Sequence, residues 1–289
     1  MSSPIASAVR RVAPHLPRAQ HRVARALLAD YPAAGLQTVA RFAEQAGVSA
    51  PTVLKLTERL GFDSYGAFQQ ALRQELRHRE QSPLDQYPAE PEALDVVARA
   101  RHAFTRCVNR TLDDLDQDQL DRAVDLLSAP RRRIFTTGGR FSAVAARSLA
   151  LHLEVLRPGV QFLGAEDRSS ALVDLGSRDV LVAIDLRRYQ TGTVRFARAA
   201  ARRGAHLVLL TDQWQSPVTP DAEVVLTAAL DAPSPFDPLV GAAVVVETLV
   251  AGVVDRLGDQ PKPRIRAYDE AWRAADVPDG AEAPGAEER

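Results

Sequence analysis

The sequence predicts an all-α domain followed by an α/β domain built on a doubly wound parallel sheet. Residues 1–80 show helical periodicity without any run typical of a strand. Prolines at positions 83, 88 and 91 then interrupt the pattern. From Arg132 onward, short apolar runs alternate with longer helical patterns, which indicates a parallel sheet covered on both faces.

The changes of pattern set the expected domain boundaries. A chain of 289 residues exceeds the roughly 100–200 residues of one ordinary domain, so two domains are expected. We expect an all-α domain over residues 1–80, a linker and connecting helix over 81–105, an α/β domain over 106–258, and a C-terminal extension over 259–289. The connecting helix is predicted from Glu92 to Leu115. The end, residues 276–289, is rich in Ala, Gly, Pro and Glu, which predicts disorder.

Five strands and four helices are predicted in the second domain. The predicted strands are Ile134–Thr136, Val160–Leu163, Val180–Ile184, His206–Leu210 and Val224–Leu226. The predicted helices are Ser142–Leu156, Ser169–Leu175, Thr193–Arg203 and Gly241–Leu257. The most apolar long segment, Leu239–Val254, is shorter than the roughly 20 residues of a membrane span and contains Glu247, so it predicts a buried helix.

Composition excludes several classes of protein and site. The single cysteine, Cys107, excludes an intrachain disulfide and agrees with a reducing compartment, the cytoplasm. The six histidines lack the close spacing of metal ligands, so neither a metal nor another cofactor is expected. The N-terminus has no apolar core of the length that a signal peptide needs, and no membrane partner is expected.

The two halves of the chain carry opposite charge. Residues 1–82 hold 11 Lys and Arg against 6 Asp and Glu, whereas residues 83–289 hold 25 against 31. A basic front region joined to an acidic remainder indicates that the front region contacts a polyanion.

The segment from Thr38 to Leu60 has the pattern of a helix-turn-helix. Gly47 ends the first helix, and Ser49 is expected to cap the second helix by accepting a backbone N–H. Pro51 suits the first turn of that second helix, where its missing N–H is not needed.

The second helix of this segment separates into two faces. At 100° per residue the side chains of one face are apolar or small: Val53, Leu56, Thr57 and Leu60. Thr52, Lys55 and Arg59 share another face, which is polar. Their side chains suit contacts to DNA phosphates or base edges. The predicted DNA-binding residues are Ser49, Thr52, Lys55 and Arg59. The alternative is a helical bundle with a merely solvated polar face; the positive charge of the region favours double-stranded DNA.

The run Ala46–Leu72 resembles the DNA-binding domain of the RpiR-like bacterial transcriptional regulators. The resemblance rests on the Val-Ser turn at 48–49, the Thr-Val pair at 52–53, Lys55, and the Leu-Gly-Phe stop at 60–62. Tyr65 and Phe68, in the helix that follows, are expected to be core residues. The resemblance implies an operator-binding regulator that assembles as a homodimer or tetramer, because two-fold proteins read paired half-sites.

The same family joins this domain to a sugar isomerase (SIS) domain, which binds phosphosugars, and the resemblance covers roughly residues 131–258. It rests on Gly138–Ser142 after the first strand, on Leu210–Asp212 followed by Ser216 and Pro217, and on Pro235–Asp237. The family's Ser-x-Ser-Gly-x-Thr phosphate loop is absent after the third strand. Residues 185–190 read Asp-Leu-Arg-Arg-Tyr-Gln instead.

We therefore expect an SIS-like domain that senses a small anionic metabolite, for example a sugar phosphate, through glycines and arginines at the strand ends. The predicted effector-binding residues are Gly138, Gly139, Arg140, Ser142, Arg187, Arg188 and Tyr189. Alternatively, the arginines pair with carboxylates such as Asp185 or Asp167, or with a partner subunit.

Catalysis is not expected, because no spacing links the candidate bases Glu166, His152 and Glu247 to a pocket. Two other functions stay open: an isomerase or lyase acting on sugar phosphates, and a regulator whose SIS-like domain only dimerises.

Overall fold

A computed structural model describes residues 5–80, 82–87 and 95–275 of the chain. The front region of this structure is entirely helical, as the sequence predicts. Its helices are α1 (Ile5–Val12), α2 (Arg18–Ala29), α3 (Ala33–Leu36), α4 (Val39–Ala46), α5 (Ala50–Arg59) and α6 (Tyr65–Glu80).

The helices of the front region share one apolar core. Val53 and Leu56 of α5 and Phe68 of α6 are at most 1% exposed. Burial of such side chains stabilises the fold by about 1.5–3 kcal/mol each. Tyr65 is partly buried against the same core, and its hydroxyl donates to the carbonyl of Gly35 at 3.0 Å. The prediction that Tyr65 and Phe68 are core residues is therefore confirmed.

A left-handed glycine forms the turn between α4 and α5. Gly47 has φ +65°, a conformation that glycine adopts without steric cost. Its N–H donates to the carbonyl of Glu44, and the N–H of Val48 donates to that of Ala43. These bonds satisfy carbonyls that the end of α4 leaves unpaired, and they turn the chain sharply into α5.

A long helix, α7 (Val96–Asp113), leads into the second region. The predicted helix began at Glu92, and residues 92–94 lie outside the described residues. The following elements are α8 (Gln117–Ser128), β1 (Arg133–Gly138), α9 (Ser142–Leu156), β2 (Val160–Phe162), α10 (Arg168–Asp174), β3 (Asp179–Ile184), α11 (Thr191–Arg202), β4 (His206–Asp212), β5 (Val224–Ala228), α12 (Val240–Leu257) and α13 (Lys262–Ala275).

The five strands form a parallel sheet with the order β2-β1-β3-β4-β5. Ile134 of β1 pairs with Val160 of β2 on one side and with Val180 of β3 on the other. The chain therefore leaves β1 and β3 toward opposite edges of the sheet. The loops after these two strands flank a crevice at the carboxyl end, where ligands collect in folds of this class.

Helices cover both faces of the sheet, which confirms the doubly wound architecture. Leu181 of β3 packs in the core on the side of α10 and α11, whereas its neighbour Val182 packs in the core beneath α8, α9 and α12. Leu249 of α12 is fully buried, so the apolar segment 239–254 is the buried helix that the sequence predicts. Among the described residues, no helix is long and apolar enough to cross a membrane.

Two helices, α8 and α13, were not predicted. Asp116 caps α8 by accepting the N–H of Gln119 at 3.1 Å, and Arg264 of α13 donates to the carbonyl of Glu154 in α9 at 2.9 Å. The sequence of α13 lacks a broad apolar stripe, and most of the helix is accordingly exposed. The predicted disordered end, residues 276–289, lies outside the described residues.

Candidate functional site

The second helix of the helix-turn-helix presents a polar face beside its buried face. Val53, Leu56 and Thr57 are buried, as expected, and Leu60 is partly buried against the same core. On the opposite side, Lys55 is exposed. Burial of one face fixes the helix on its core and leaves the other face open to a partner.

The prediction that the Ser49 side chain accepts a backbone N–H of α5 is wrong. Ser49 occupies the N-cap position of α5, but its side chain accepts no backbone N–H there. Its hydroxyl lies 3.1 Å from the hydroxyl of Thr52 instead. Both hydroxyls therefore lie at the start of the helix, on the side where Lys55 is exposed.

Arg59, the fourth residue expected to contact DNA, lies near the end of α5. Its Nη1 donates to the backbone carbonyl of His15 at 3.4 Å. Arg59 is nevertheless exposed, and the long, weak contact leaves most of the guanidinium open to solvent.

Tight packing shapes the loop after β1. A Cβ atom on Gly138 would lie 2.6 Å from the backbone nitrogen of Ala143, and one on Gly139 would lie 3.0 Å from the side chain of Gln190. Arg140, the next residue, is exposed. Glycine is therefore required for steric reasons at position 138, where the near atoms are backbone, and Gly139 lies against the residue that ends the loop after β3.

Ser142 ties the loop after β1 to the end of β3. It is 7% exposed, and its hydroxyl accepts the N–H of Gly139 and donates to the carbonyl of Ile184, both at 2.8 Å. This hydroxyl was expected to donate to an effector. In the structure its proton is already engaged by the Ile184 carbonyl, so Ser142 shapes the crevice.

The loop after β3 places its two arginines differently. Arg188 has φ +59°, a left-handed conformation uncommon for a residue with a side chain, and it is exposed. The side chain of Arg187, in contrast, is buried and only 4% exposed. Its guanidinium pairs with Asp237 and lies 5.0 Å from the ring centroid of Trp214. Arg187 thus has a carboxylate partner, but neither of the two that were named as alternatives.

Asp185, the first residue of this loop, is buried and holds two strand ends together. Its Oδ2 accepts the hydroxyl of Ser216 at 2.5 Å, and its Oδ1 accepts the N–H of Gln190 at 3.3 Å. Its backbone carbonyl accepts the hydroxyl of Thr211 at 2.8 Å. Asp185 therefore stabilises the loop from within.

Tyr189 connects the loop to the buried carboxylate of Asp212, at the end of β4. The Tyr189 hydroxyl donates to Oδ1 of Asp212 at 2.8 Å, and the N–H of Trp214 donates to the same oxygen at 2.8 Å. Burial raises the pKa of Asp212 to about 6, although these hydrogen bonds oppose the shift. The Tyr189 hydroxyl is thus engaged within the protein.

Arg168 is a residue of this crevice that the sequence did not reveal. Its Nη2 donates to the carbonyl of Gly138 at 2.6 Å and its Nε to the hydroxyl of Thr137 at 3.1 Å. Nη1 lies 3.6 Å from the position that a Cβ atom on Gly192 would take, in the first turn of α11. Burial lowers the pKa of Arg168, and the charges of Asp185 and Glu166 oppose that shift. No motif marks this position, since Arg168 follows β2 and reaches the crevice only in the fold.

The three candidate bases do not converge on the crevice as a group. Glu166 contributes its charge to Arg168, whereas His152 bonds the carbonyl of Ser148 within α9 and Glu247 is exposed on α12. Over the described ranges, no group of three or more His, Cys, Asp or Glu side chains could hold a metal ion.

Two family models match the chain. The model described as helix-turn-helix domain, rpiR family, matches residues 5–79, and the model described as SIS domain matches residues 127–251. The first range contains α1 to α5 and all of α6 except its last residue, and the second contains the whole parallel sheet.

Individual proteins agree with this division. The HTH-type transcriptional regulator HexR of Escherichia coli K12 is 25% identical over 276 residues, which are 90% of this chain and 91% of HexR. The sugar isomerase domain of an RpiR transcription factor from Sphaerobacter thermophilus has a TM-score of 0.56 and 27% identity, covering 60% of this chain and 98% of that one. The Vibrio vulnificus NanR protein, solved with ManNAc-6P, has a TM-score of 0.56 and 19% identity, covering 93% and 98%.

Proposed function

Because this chain belongs to the rpiR family of helix-turn-helix transcriptional regulators with a SIS domain, we propose that it binds operator DNA through α5 and senses a sugar phosphate at the carboxyl end of its sheet. In this proposal residues 1–80 bind DNA and residues 106–258 sense the effector, the boundaries expected from the sequence. We place this activity in the cytoplasm, where transcription takes place in bacteria.

The polar face of α5 is the proposed DNA-binding surface, with Ser49, Thr52, Lys55 and Arg59 as its contacts. Hydroxyl groups at the start of the helix suit hydrogen bonds to phosphates or base edges, and the two cations suit phosphates or guanine. The net charge of +5 over residues 1–82 supports the same partner, since phosphate neutralisation dominates affinity for DNA.

The crevice between the loops after β1 and β3 is the proposed effector site. The observation that carries this proposal is the position of Arg168, whose guanidinium reaches both Gly138 and the first turn of α11. The first N–H groups of α11 have no partner within the helix, and the helix dipole favours an anion there. Arg140 and Arg188 are exposed on the two flanking loops and add further positive charge.

The chemistry of these groups favours a phosphate monoester with polar substituents. Arginine forks suit phosphate oxygens, and loop carbonyls and amides suit sugar hydroxyls. The ligand printed for the Vibrio vulnificus NanR protein, ManNAc-6P, belongs to this class. In this proposal Gly138, Gly139, Ser142 and Tyr189 shape the site, while Arg140, Arg168 and Arg188 supply its charge.

A homodimer completes the proposed regulator. Phe141, Val144 and Leu151 lie on one side of α9 and are 60%, 62% and 47% exposed, an apolar stripe that a second copy could cover. Two copies would present two recognition helices, as paired half-sites require.

A thermal-shift experiment tests the effector site. The purified chain is heated with hexose and pentose phosphates, each at the same concentration as its unphosphorylated sugar and at constant ionic strength. A sugar phosphate that prefers the folded protein raises its melting temperature, and the matching free sugar leaves it unchanged.

The other outcomes select the other functions. No shift with any sugar phosphate would contradict the effector site and favour a domain that only dimerises. Conversion of a sugar phosphate to a new product would favour the isomerase or lyase function, in which case Glu166, beside Arg168, is the first base to substitute.

A further inference from the structure

The helical front region contacts the SIS domain at loops on the carboxyl side of the sheet. Arg10 of α1 donates to Oε1 of Gln215 at 2.8 Å, in the loop after β4. Gln215 is 5% exposed and has φ +63°, a left-handed conformation. A second contact comes from Arg187, in the loop after β3, and it is the more extensive of the two.

The guanidinium of Arg187 joins three segments of the chain. It pairs with Asp237 before α12, its Nη1 donates to the carbonyl of His78 at 3.0 Å, and its Nη2 donates to Oε1 of Gln86 at 2.9 Å. One face of the group packs on Trp214. The planar fork of arginine can satisfy several acceptors at once, which lysine cannot do.

The acceptor on the DNA-binding domain is the end of a helix. His78 lies in the last turn of α6, where helix carbonyls accept hydrogen bonds from groups beyond the helix. The same carbonyls carry the negative end of the helix dipole, which a cation stabilises. Arg187 therefore places a cation from another domain at this end of α6.

The loop that carries Arg187 is also the loop that borders the proposed effector site. Gln190, three residues later, packs against Gly139 and precedes the first turn of α11. Tyr189, between them, bonds Asp212, whose Oδ1 also accepts the N–H of Trp214. The crevice and the interdomain contact are therefore joined by a segment of only four residues, 187–190, which packing and hydrogen bonds hold in place.

We propose that Arg187 is a positioning residue, which docks the DNA-binding domain on the effector-side loop of the SIS domain by capping α6. It acts through α6 and contacts neither DNA nor effector. This proposal rests on the proposed function in one respect: an effector that moves the loop would change the docking, and docking would change effector affinity by the same factor.

Hydrogen exchange of the full-length protein without ligand tests the docking. The variant Arg187→Ala is expected to speed exchange of the amides of residues 74–80 by about tenfold, because charge-assisted hydrogen bonds are among the stronger ones. Arg187→Lys is expected to give an intermediate rate, since it keeps the charge and loses the fork. Small-angle scattering of Arg187→Ala should show a larger radius of gyration.

A matched control is Arg195→Ala, which removes an exposed cation from α11, the helix that follows the loop. It should leave exchange of residues 74–80 unchanged. Exchange of β3 should be the same in all variants, which shows that the sheet is intact. Equal rates at residues 74–80 in wild type and Arg187→Ala would overturn the proposal.

The same variant separates this proposal from the effector site. Arg187→Ala should still show a melting-temperature rise with any sugar phosphate that stabilises wild type, but a rise of different size, because docking and effector affinity are linked. Loss of that rise with unchanged exchange at residues 74–80 would make Arg187 an effector ligand and overturn the docking. Absence of any stabilising sugar phosphate would contradict the effector site alone, since the exchange result needs no ligand.

Discussion

Asp212 shows how burial decides the chemistry of a single side chain. Its carboxyl group is fully buried at the end of β4, and desolvation raises its pKa from 3.8 to about 6. The folded protein therefore holds this proton at pH values where the unfolded chain releases it. The stabilisation is complete below pH 3.8 and is lost as pH rises through about 6.

The residue-scale prediction is that Asp212→Asn removes this pH dependence. The free energy of unfolding of wild type should gain about 2 kcal/mol relative to the variant between pH 7 and pH 4. Urea unfolding across that range measures the difference. Asp63→Asn, at an exposed position, serves as the control. Parallel pH profiles for wild type and Asp212→Asn would show that Asp212 ionises in the folded protein as it does in the unfolded chain.

Side-chain partners were the least predictable feature of the site. The sequence indicated Arg187, Arg188 and Tyr189 because they follow a buried strand. Arg187, however, forms hydrogen bonds with Asp237, Gln86 and His78, which lie 50, 101 and 109 positions away along the chain. Such partners depend on the packing of whole elements, so local spacing could not separate the buried Arg187 from the exposed Arg188. Arg168 was missed for the same reason.

At the scale of elements, α5 carries the prediction for DNA binding. Lys55→Ala should weaken operator binding and lower the slope of log affinity against log salt by about 0.9 for each DNA phosphate that the variant no longer neutralises. The chain's other lysine, Lys262, is exposed on α13, so Lys262→Ala is a control of the same type and charge. Fluorescence anisotropy at several salt concentrations measures both. An unchanged slope for Lys55→Ala would exclude a phosphate contact by this side chain.

Most elements were predictable because apolar periodicity and glycine positions decide them. The predicted helix Ser142–Leu156 agrees with α9 at both ends, and the predicted strands lie within two residues of the observed ones. Helix α8 was missed although its buried residues Leu120, Ala123, Val124 and Leu127 follow helical spacing and Asp116 is a favoured N-cap residue. Because α13 carries little apolar surface, its periodicity did not predict it either.

At the scale of the whole molecule, assembly is the next prediction. Val144→Arg places a charge in the exposed apolar stripe of α9 and should convert the proposed homodimer to monomer, because an unpaired charge in an interface core is strongly unfavourable. Light scattering coupled to size-exclusion chromatography measures the mass. Val173→Arg, at a position 69% exposed on α10, should leave the mass unchanged. A dimer that persists in Val144→Arg would place the interface elsewhere.

The division of charge between the basic front region and the acidic remainder matches a molecule whose two ends have different partners. DNA binding and effector binding must then be linked through the structure that joins them. Linkage requires the effector to bind the docked and undocked arrangements with different affinity. The loop after β3 borders both the proposed effector crevice and the contact with α6, so we expect this difference to arise there.

The most direct test of the regulator is fluorescence anisotropy of the protein with DNA flanking its own gene, with unrelated DNA as competitor, and with and without a stabilising sugar phosphate. We expect specific, salt-dependent binding whose affinity changes when the sugar phosphate is added. Equal, weak binding to all DNA at low salt, unaltered by any sugar phosphate, would contradict this expectation.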